Sequence, residues 1–266
     1  MKKLLYLIAI TTLLTSLFAF RTIAHYIDIF KQLEIQQEDA KDYVFSNLEA
    51  GKLAIPYSSV IPKLALGKRE AAVIEIGNFM KTYTASAEFA AKYKEARESN
   101  RALTEAEAKA KVQTRQAELR KEIATLEADM KKSDASLKKL QQLLMNNHKD
   151  ELKALTDPTH PGHVAQMEQV TGVNLSEKSI AQNYKEWQEK YPPTVRELVK
   201  KRLTQFLEYT SDIDFNAKLV KRGDKMVFAD ASLEGKDETW KRCFRSGRET
   251  ITAARQFAQQ WLASLK

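Results

Sequence analysis

Apolar residues recur at steps of three and four along most of this chain, a spacing that predicts amphipathic helices. One such stripe ends at Leu48, just before Gly51, and a later one runs from Ile180 to Tyr191. Ser176 is placed to cap the later helix, and Pro192 to end it. The chain has only 8 glycines and 6 prolines, fewer than an average composition would give. The fold is therefore predicted to be mainly α.

The most regular stripe lies in the middle of the chain. Thr104 and Glu107 have the spacing of a capping box, which starts a helix, and no Gly or Pro follows before Pro158. The positions alternate steps of four and three, as in the seam of a coiled coil, with the polar Ser133 between Met130 and Leu137. The apolar members of this seam are Leu119, Ile123, Leu126, Met130, Leu137, Leu140 and Leu144. We predict one long heptad-repeat helix over residues 103–156. Its seam must pack on other helices of the chain or on another copy.

The periodicity changes to two in the C-terminal third. Phe215, Ala217 and Leu219 alternate with polar residues, and Val227 follows a Lys-Arg-Gly-Asp-Lys turn. This alternation predicts a small β-hairpin at about 213–230.

The first twenty residues indicate where the protein acts. Two lysines precede an apolar run from Leu4 to Phe20, and Arg21 follows, which is the pattern of a bacterial-type secretory signal. The run is only just long enough to span a bilayer, so an uncleaved N-terminal membrane anchor is one alternative and a buried helix another. We expect an exported protein of the periplasm or bacterial cell envelope. Its parts would be a signal peptide or anchor (1–20), an N-terminal helical region (21–102), the long coiled-coil helix (103–156) and a C-terminal helical region with the β-hairpin (157–266).

The formal net charge of +8 favours anionic partners. The densest basic cluster lies in the C-terminal third, and we predict an anionic-partner surface formed by Lys200, Lys201, Arg202, Lys221, Arg222, Lys225, Lys241, Arg242, Arg245 and Arg248. A solvated basic face without a specific role is the alternative. Because the leader indicates export, we expect no nucleic-acid partner, although the same charge in a cytosolic protein would favour one.

Cys243, the single cysteine, shares a helix face with Trp240 and Phe244 at spacings of three and four. That position predicts a buried, structural thiol, with an interchain disulfide or a reactive nucleophile as alternatives. His160 and His163 flank a Pro-Gly turn and lack the further ligands that zinc takes. No phosphate-binding loop or hydrolase motif occurs. We therefore predict no catalytic residue, no cofactor and no metal site.

Export, basic charge and a helical arm together predict a non-enzymatic helical protein. It would act as an envelope scaffold, an adaptor or a client-binding, chaperone-like protein. The arm would bind a protein partner or another copy, and the basic surface an anionic envelope component. In these physical properties alone the chain is similar to periplasmic holdase chaperones. The alternative is a cell-envelope hydrolase acting on an anionic glycan or peptidoglycan, which would need two carboxylates converging in a cleft.

Overall fold

The structure of the protein, a computed structural model, describes residues 29–53 and 66–265. They form mainly α-helices with one small antiparallel sheet, as the sequence predicts. The elements in chain order are α1 (Gln37–Glu49), α2 (Leu66–Thr84), α3 (Ala87–Ser99), α4 (Glu105–Met130), α5 (Ala135–Thr156), α6 (His163–Thr171), α7 (Ile180–Lys190), α8 (Val195–Tyr209), β1 (Leu219–Arg222), β2 (Lys225–Phe228), α9 (Ala231–Glu234), α10 (Glu238–Ser246) and α11 (Arg248–Ser264). The predicted signal peptide or anchor at 1–20 lies outside the described residues. Within them, no helix has the length and apolar character needed to cross a membrane.

The described chain divides into two compact units. Unit 1 contains the described residues up to Glu95 together with those from Pro192 onward, and unit 2 runs from Ala96 to Tyr191. Unit 1 is therefore discontinuous in sequence, and unit 2 is inserted into it. The division falls within α3.

In unit 1, α2 packs closely against α11. The approach depends on Gly77, because a Cβ at this position would lie 2.6 Å from the ring of Phe257. The two sequence segments of the unit also meet where Tyr93 donates its hydroxyl hydrogen to the carbonyl of Pro192 at 2.7 Å. Residues far apart in sequence therefore build a single core.

The predicted β-hairpin is confirmed, with Leu219 opposite Phe228. Gly223 occupies the first position of the two-residue turn, with φ of +60°. A positive φ at this position is typical of type I′ and II′ turns, whose backbone twist matches that of the flanking strands. Phe228 is fully buried and contacts the ring of Phe244 edge-on, with centroids 4.7 Å apart. The β-hairpin is thereby fixed to α10.

In unit 2, the predicted single helix over residues 103–156 is instead a pair of helices. α4 ends at Met130, and α5 begins at Ala135 and returns along α4. The antiparallel direction is evident from the cross-links, because Arg115 pairs with Glu151 and Glu127 with Lys149. We call α4 and α5 together the helical hairpin. The continuous coiled-coil helix predicted from the heptads is not confirmed.

The turn between α4 and α5 forms without Gly or Pro. The carboxylate of Asp134 accepts hydrogen bonds from the backbone N–H groups of Ser136 and Leu137, each at 2.9 Å, and so caps α5. The hydroxyl of Ser133 donates to the carbonyl of Asp129 at 2.9 Å. Short polar side chains such as these compete with helical hydrogen bonding, and here they stop one helix and start the next.

Helix caps follow the sequence closely. Capping boxes are present at both Thr-x-x-Glu sequences, Thr104 with Glu107 and Thr194 with Glu197. α7 begins later than expected, since Ser179 is its N-cap. Ser176 instead donates its hydroxyl hydrogen to Glu168 at 2.8 Å.

Candidate functional site

The base of the helical hairpin, formed by residues 105–119 of α4 and the second half of α5, is closed by apolar packing. Leu119 is fully buried, and Val112 and Leu155 are buried beside it. Met167 and Val170 pack against this cluster. Both come from α6, which lies against the two long helices and covers the apolar stripe at the base.

Ion pairs and hydrogen bonds also hold the base together. Arg115 donates from Nε and Nη2 to the two carboxylate oxygens of Glu151, at 2.8 and 3.1 Å. This bidentate pair is the main cause of the raised pKa of Arg115. Gln116, a polar residue in the apolar stripe, donates its side-chain amide to the carbonyl of Leu155 at 3.0 Å. Arg115 and Gln116 therefore both have partners within unit 2.

The opposite end of the helical hairpin exposes its apolar residues. Four leucines of α5, which we call the tip leucines, are 45%, 54%, 58% and 41% exposed: Leu137, Leu140, Leu143 and Leu144. Their spacings of three, four and seven place them along one side of the helix. Three predicted seam residues of α4 near this end are half-buried: Ile123, Leu126 and Met130. Of the predicted seam, only Leu119 is fully buried.

Four lysines lie close in sequence to the tip leucines. We call Lys131, Lys132, Lys138 and Lys139 the tip lysines; all four are exposed. None of them forms an ion pair with another residue in the described part of the chain. The turn itself, residues 131–134, is polar throughout. The tip therefore combines an apolar stripe on its side with positive charge that the described residues leave unneutralised.

Two of the predicted basic surface residues are buried. Arg202 donates hydrogen bonds to the carbonyls of Leu48 at 2.6 Å and Glu49 at 3.2 Å. It thereby provides donors for carbonyl groups at the end of α1 that have none within the helix. Burial lowers its pKa. Lys241 is buried beside Glu234, with an Nζ–Oε1 distance of 3.2 Å. Both residues hold unit 1 together. The sequence predicts that they are exposed to an anionic partner, and for these two residues that prediction is wrong.

The other predicted basic residues lie on three parts of unit 1. Lys200 and Lys201 are half-buried on α8, whereas Lys221, Arg222 and Lys225 are exposed on the β-hairpin, and Arg242, Arg245 and Arg248 are exposed on α10 and at the start of α11. Arg248 donates to the side-chain carbonyl of Asn216 at 2.9 Å. The role of these eight residues in binding an anion stays a prediction.

Cys243 is half-buried, less enclosed than the spacing of Trp240, Cys243 and Phe244 predicts. Trp240, on the same side of α10, is fully buried. Burial raises the pKa of the Cys243 thiol, which makes the thiolate less available at neutral pH. A structural role therefore agrees better with this environment than a nucleophilic one.

Several carboxyl groups of the described residues have lowered pKa values. Where their pKa clearly shifts it shifts downward, as at Asp212, which accepts hydrogen bonds from Lys236 and Trp240. The general acid of a glycoside hydrolase needs a raised pKa. Among the described residues, no group of three or more His, Cys, Asp or Glu side chains is arranged to hold a metal ion. Comparison of the chain with protein-family models, with curated proteins and with solved structures gives no match.

Proposed function

We propose that this is an exported, non-enzymatic, client-binding protein, and that the side of its helical hairpin holds apolar segments of acidic polypeptides. One observation carries the proposal: four leucines are exposed at the tip, and four lysines close to them in sequence are exposed and have no ion-pair partner in the described chain. The leader-like sequence at residues 1–20 supports export. The proposal continues the chaperone-like function expected from the sequence, with the tip in place of a continuous coiled coil.

The position of the leucines favours a polypeptide over a bilayer. They run along the side of α5 for about two turns, whereas the end of the hairpin is the polar sequence Lys131–Asp134. A helix that lies in a membrane interface needs its apolar face free along its length. Here one side of α5 already packs on α4. A narrow apolar strip fits a single helical or extended segment of a client.

The charges favour an acidic client over a second copy. The tip lysines are exposed, and opposite charges across an interface favour encounter and register. A second copy would bring another chain of net charge +8 to the same strip. An acidic polypeptide supplies the complementary charge.

The expected binding is weak and reversible. Burying the exposed part of each leucine contributes about 1 kcal/mol, since full burial of such a side chain is worth about 1.5–3 kcal/mol. Four leucines give about 4 kcal/mol before the cost of association, which is too little for a permanent complex. Weak binding suits a protein that holds a client transiently and then releases it.

The test measures how well the purified protein suppresses aggregation of two reduced model clients, acidic α-lactalbumin and basic lysozyme, by light scattering. We expect suppression of α-lactalbumin aggregation, with a much smaller effect on lysozyme. The double variant Leu140→Gln/Leu143→Gln should require several-fold more protein for the same suppression. The matched control is Ala124→Gln/Ala128→Gln, which makes polar changes at exposed positions of α4 and should behave as the wild type.

Three results would contradict the proposal. One is equal suppression by the leucine variant and the wild type, with both fully helical by circular dichroism. Another is equal protection of the acidic and basic clients. A third is a dimeric mass in solution that becomes monomeric in the leucine variant, which would show that a second copy covers the strip.

A further inference from the structure

Unit 1 contains a cavity of about 720 Å³ that no part of the client-binding proposal uses. Its walls come from α2, α8, α10 and α11. Ligand sites in proteins are usually concave and have volumes of about 300–1,000 Å³. The size of this cavity is therefore that of a site for a small organic molecule.

The walls are mostly apolar. α2 contributes Val73 and Ile76, α8 contributes Phe206, and α11 contributes Phe257 and Trp261. The lining of α11 extends from residue 250 to residue 261, which is about 16 Å at 1.5 Å per residue. An elongated apolar group matches both the lining and the length.

Cations are present at one part of the wall. Arg242 and Arg245 line the cavity from α10, and Arg69 lines it from α2. Arg69 donates from Nη1 to the carbonyl of Ser246 at 3.3 Å, so it reaches the C-terminal end of the helix that carries the other two arginines. No Asp or Glu is among the described lining residues. An anionic group here would meet positive charge, and no carboxylate of the described residues lines the wall beside it.

From this arrangement we infer that the cavity binds a single acyl chain that ends in an anion, such as a fatty-acid carboxylate or an alkyl phosphate. The chain would lie along the apolar walls, with the anion at the arginines of α10. Arginine suits such an end group because its planar fork donates two hydrogen bonds to a carboxylate or a phosphate. The site is independent of the tip, so either proposal can fail while the other stands.

Calorimetric titration of the purified protein tests the chemistry of the site. The probes are dodecanoate, dodecyl phosphate, 1-dodecanol and dodecyltrimethylammonium, each below its micellar concentration. The two anions should bind, and the neutral and cationic compounds should bind at least tenfold more weakly, because charge-assisted hydrogen bonds are lost. Decanoate should bind more weakly than dodecanoate, by up to about fourfold for each methylene removed.

Two pairs of variants locate the site. Ala254, half-buried, lines the cavity on α11, and Ala263 is exposed on the same helix. Ala254→Phe should abolish dodecanoate binding, and Ala263→Phe should leave it unchanged. Arg242→Gln/Arg245→Gln should weaken dodecanoate binding at least tenfold without affecting 1-dodecanol. The control Lys221→Gln/Arg222→Gln, which removes the same charge from the β-hairpin, should have little effect.

The thiol of Cys243 provides a second readout, because Cys243 is among the lining residues. Bound dodecanoate should slow its labelling by N-ethylmaleimide, measured by mass spectrometry, in the wild type and not in Ala254→Phe.

Four outcomes would overturn the inference. Failure of every probe to bind would mean that the cavity is not a ligand site. Equal binding of dodecanoate and dodecyltrimethylammonium would remove the role of the arginines. Binding that survives Ala254→Phe, or that leaves the labelling rate of Cys243 unchanged, would place the ligand elsewhere.

Discussion

The base and the tip of the helical hairpin carry the same kind of apolar repeat but have different surroundings. At the base, α6 adds a third layer, and Leu119 is completely buried. At the tip, α4 and α5 are the only helices that meet among the described residues, and Leu140 remains more than half exposed. Heptad spacing therefore predicts where an apolar stripe lies, whereas its burial depends on whether another element covers it.

The charges of the two regions differ in the same way. At the base, Arg115 contacts Glu151 and lies within 3.5 Å of Glu118 and Glu122. At the tip, the lysines have no such partners among the described residues. At the base Arg115 is paired with glutamates, whereas the lysines of the tip are exposed without an ion-pair partner in the described chain. Four predictions test this contrast, and they are ordered by the size of the expected effect.

The largest effect should come from truncating the buried leucine. Leu119→Ala should lower the free energy of unfolding by about 2–5 kcal/mol, because it removes buried methyl groups and leaves a cavity. Leu140→Ala should change it by no more than about 0.5 kcal/mol. Urea unfolding followed by circular dichroism measures both. A similar loss in the two variants would mean that the tip is covered in solution.

The turn that separates the two helices should be the next most sensitive point. Asp134→Ala should destabilise the protein by about 1 kcal/mol, because it removes the cap of α5. Hydrogen exchange should also become faster at the amides of Ser136 and Leu137. Asp129→Ala is the control, since Asp129 lies in the last turn of α4, where a carboxylate is unfavourable to the helix dipole. Unchanged exchange in Asp134→Ala would contradict the capping role.

A smaller effect is expected from the ion pairs of the base. Arg115→Gln should cost up to about 1 kcal/mol in low salt, and the loss should shrink in 1 M NaCl because salt screens the interaction. Arg120→Gln changes an exposed arginine of the same helix that has no ion pair within the described residues, and should have almost no effect. Thermal unfolding at both salt concentrations measures the difference. Equal effects of the two variants would show that these pairs add nothing to the base.

The smallest effect concerns acid stability at the start of α4. A hydrogen bond from Arg101, with further bonds from Thr104, lowers the pKa of Glu107 to about 2. Because the folded pKa is below the unfolded value of about 4.3, the stabilisation is full above that value and is lost as the pH falls toward 2. Glu107→Gln should therefore be less stable than the wild type at pH 6, with the gap closing by pH 2. Thermal melts between pH 2 and pH 6 measure this difference in stability, with Glu105→Gln as the control. A difference that does not change with pH would contradict the prediction.

The sequence predicts the features that depend on residues close together in the chain. The capping box at Thr104 depends on a partner three residues away, and the turn of the β-hairpin depends on Gly223. The break before Asp134 is not predicted by the heptad spacing, because that spacing continues through it and no Gly or Pro marks it. Its local signal was the sequence Ser133-Asp134, two residues that favour helix ends.

Features assembled from distant parts of the chain were not predictable. The burial of Arg202 depends on where α1 ends, about 150 residues earlier. The cavity of unit 1 is formed between α2 and α11, and their close approach requires Gly77 to meet Phe257. Periodicity within one segment carries no information on such pairings. The basic cluster was visible in the sequence, but the positions of Arg242 and Arg245 at the wall of a cavity were not.

The insertion of unit 2 into unit 1 imposes an order on biosynthesis. Unit 2 is a continuous stretch, so all of its parts have been synthesised once Tyr191 has been added. α2, in contrast, must wait for α11, the last of the described helices, before its apolar side is covered. Until then the N-terminal segment is an unfinished half of a domain, and such segments aggregate readily. A chain truncated before α11 should therefore leave unit 2 folded and unit 1 dependent on cellular protection.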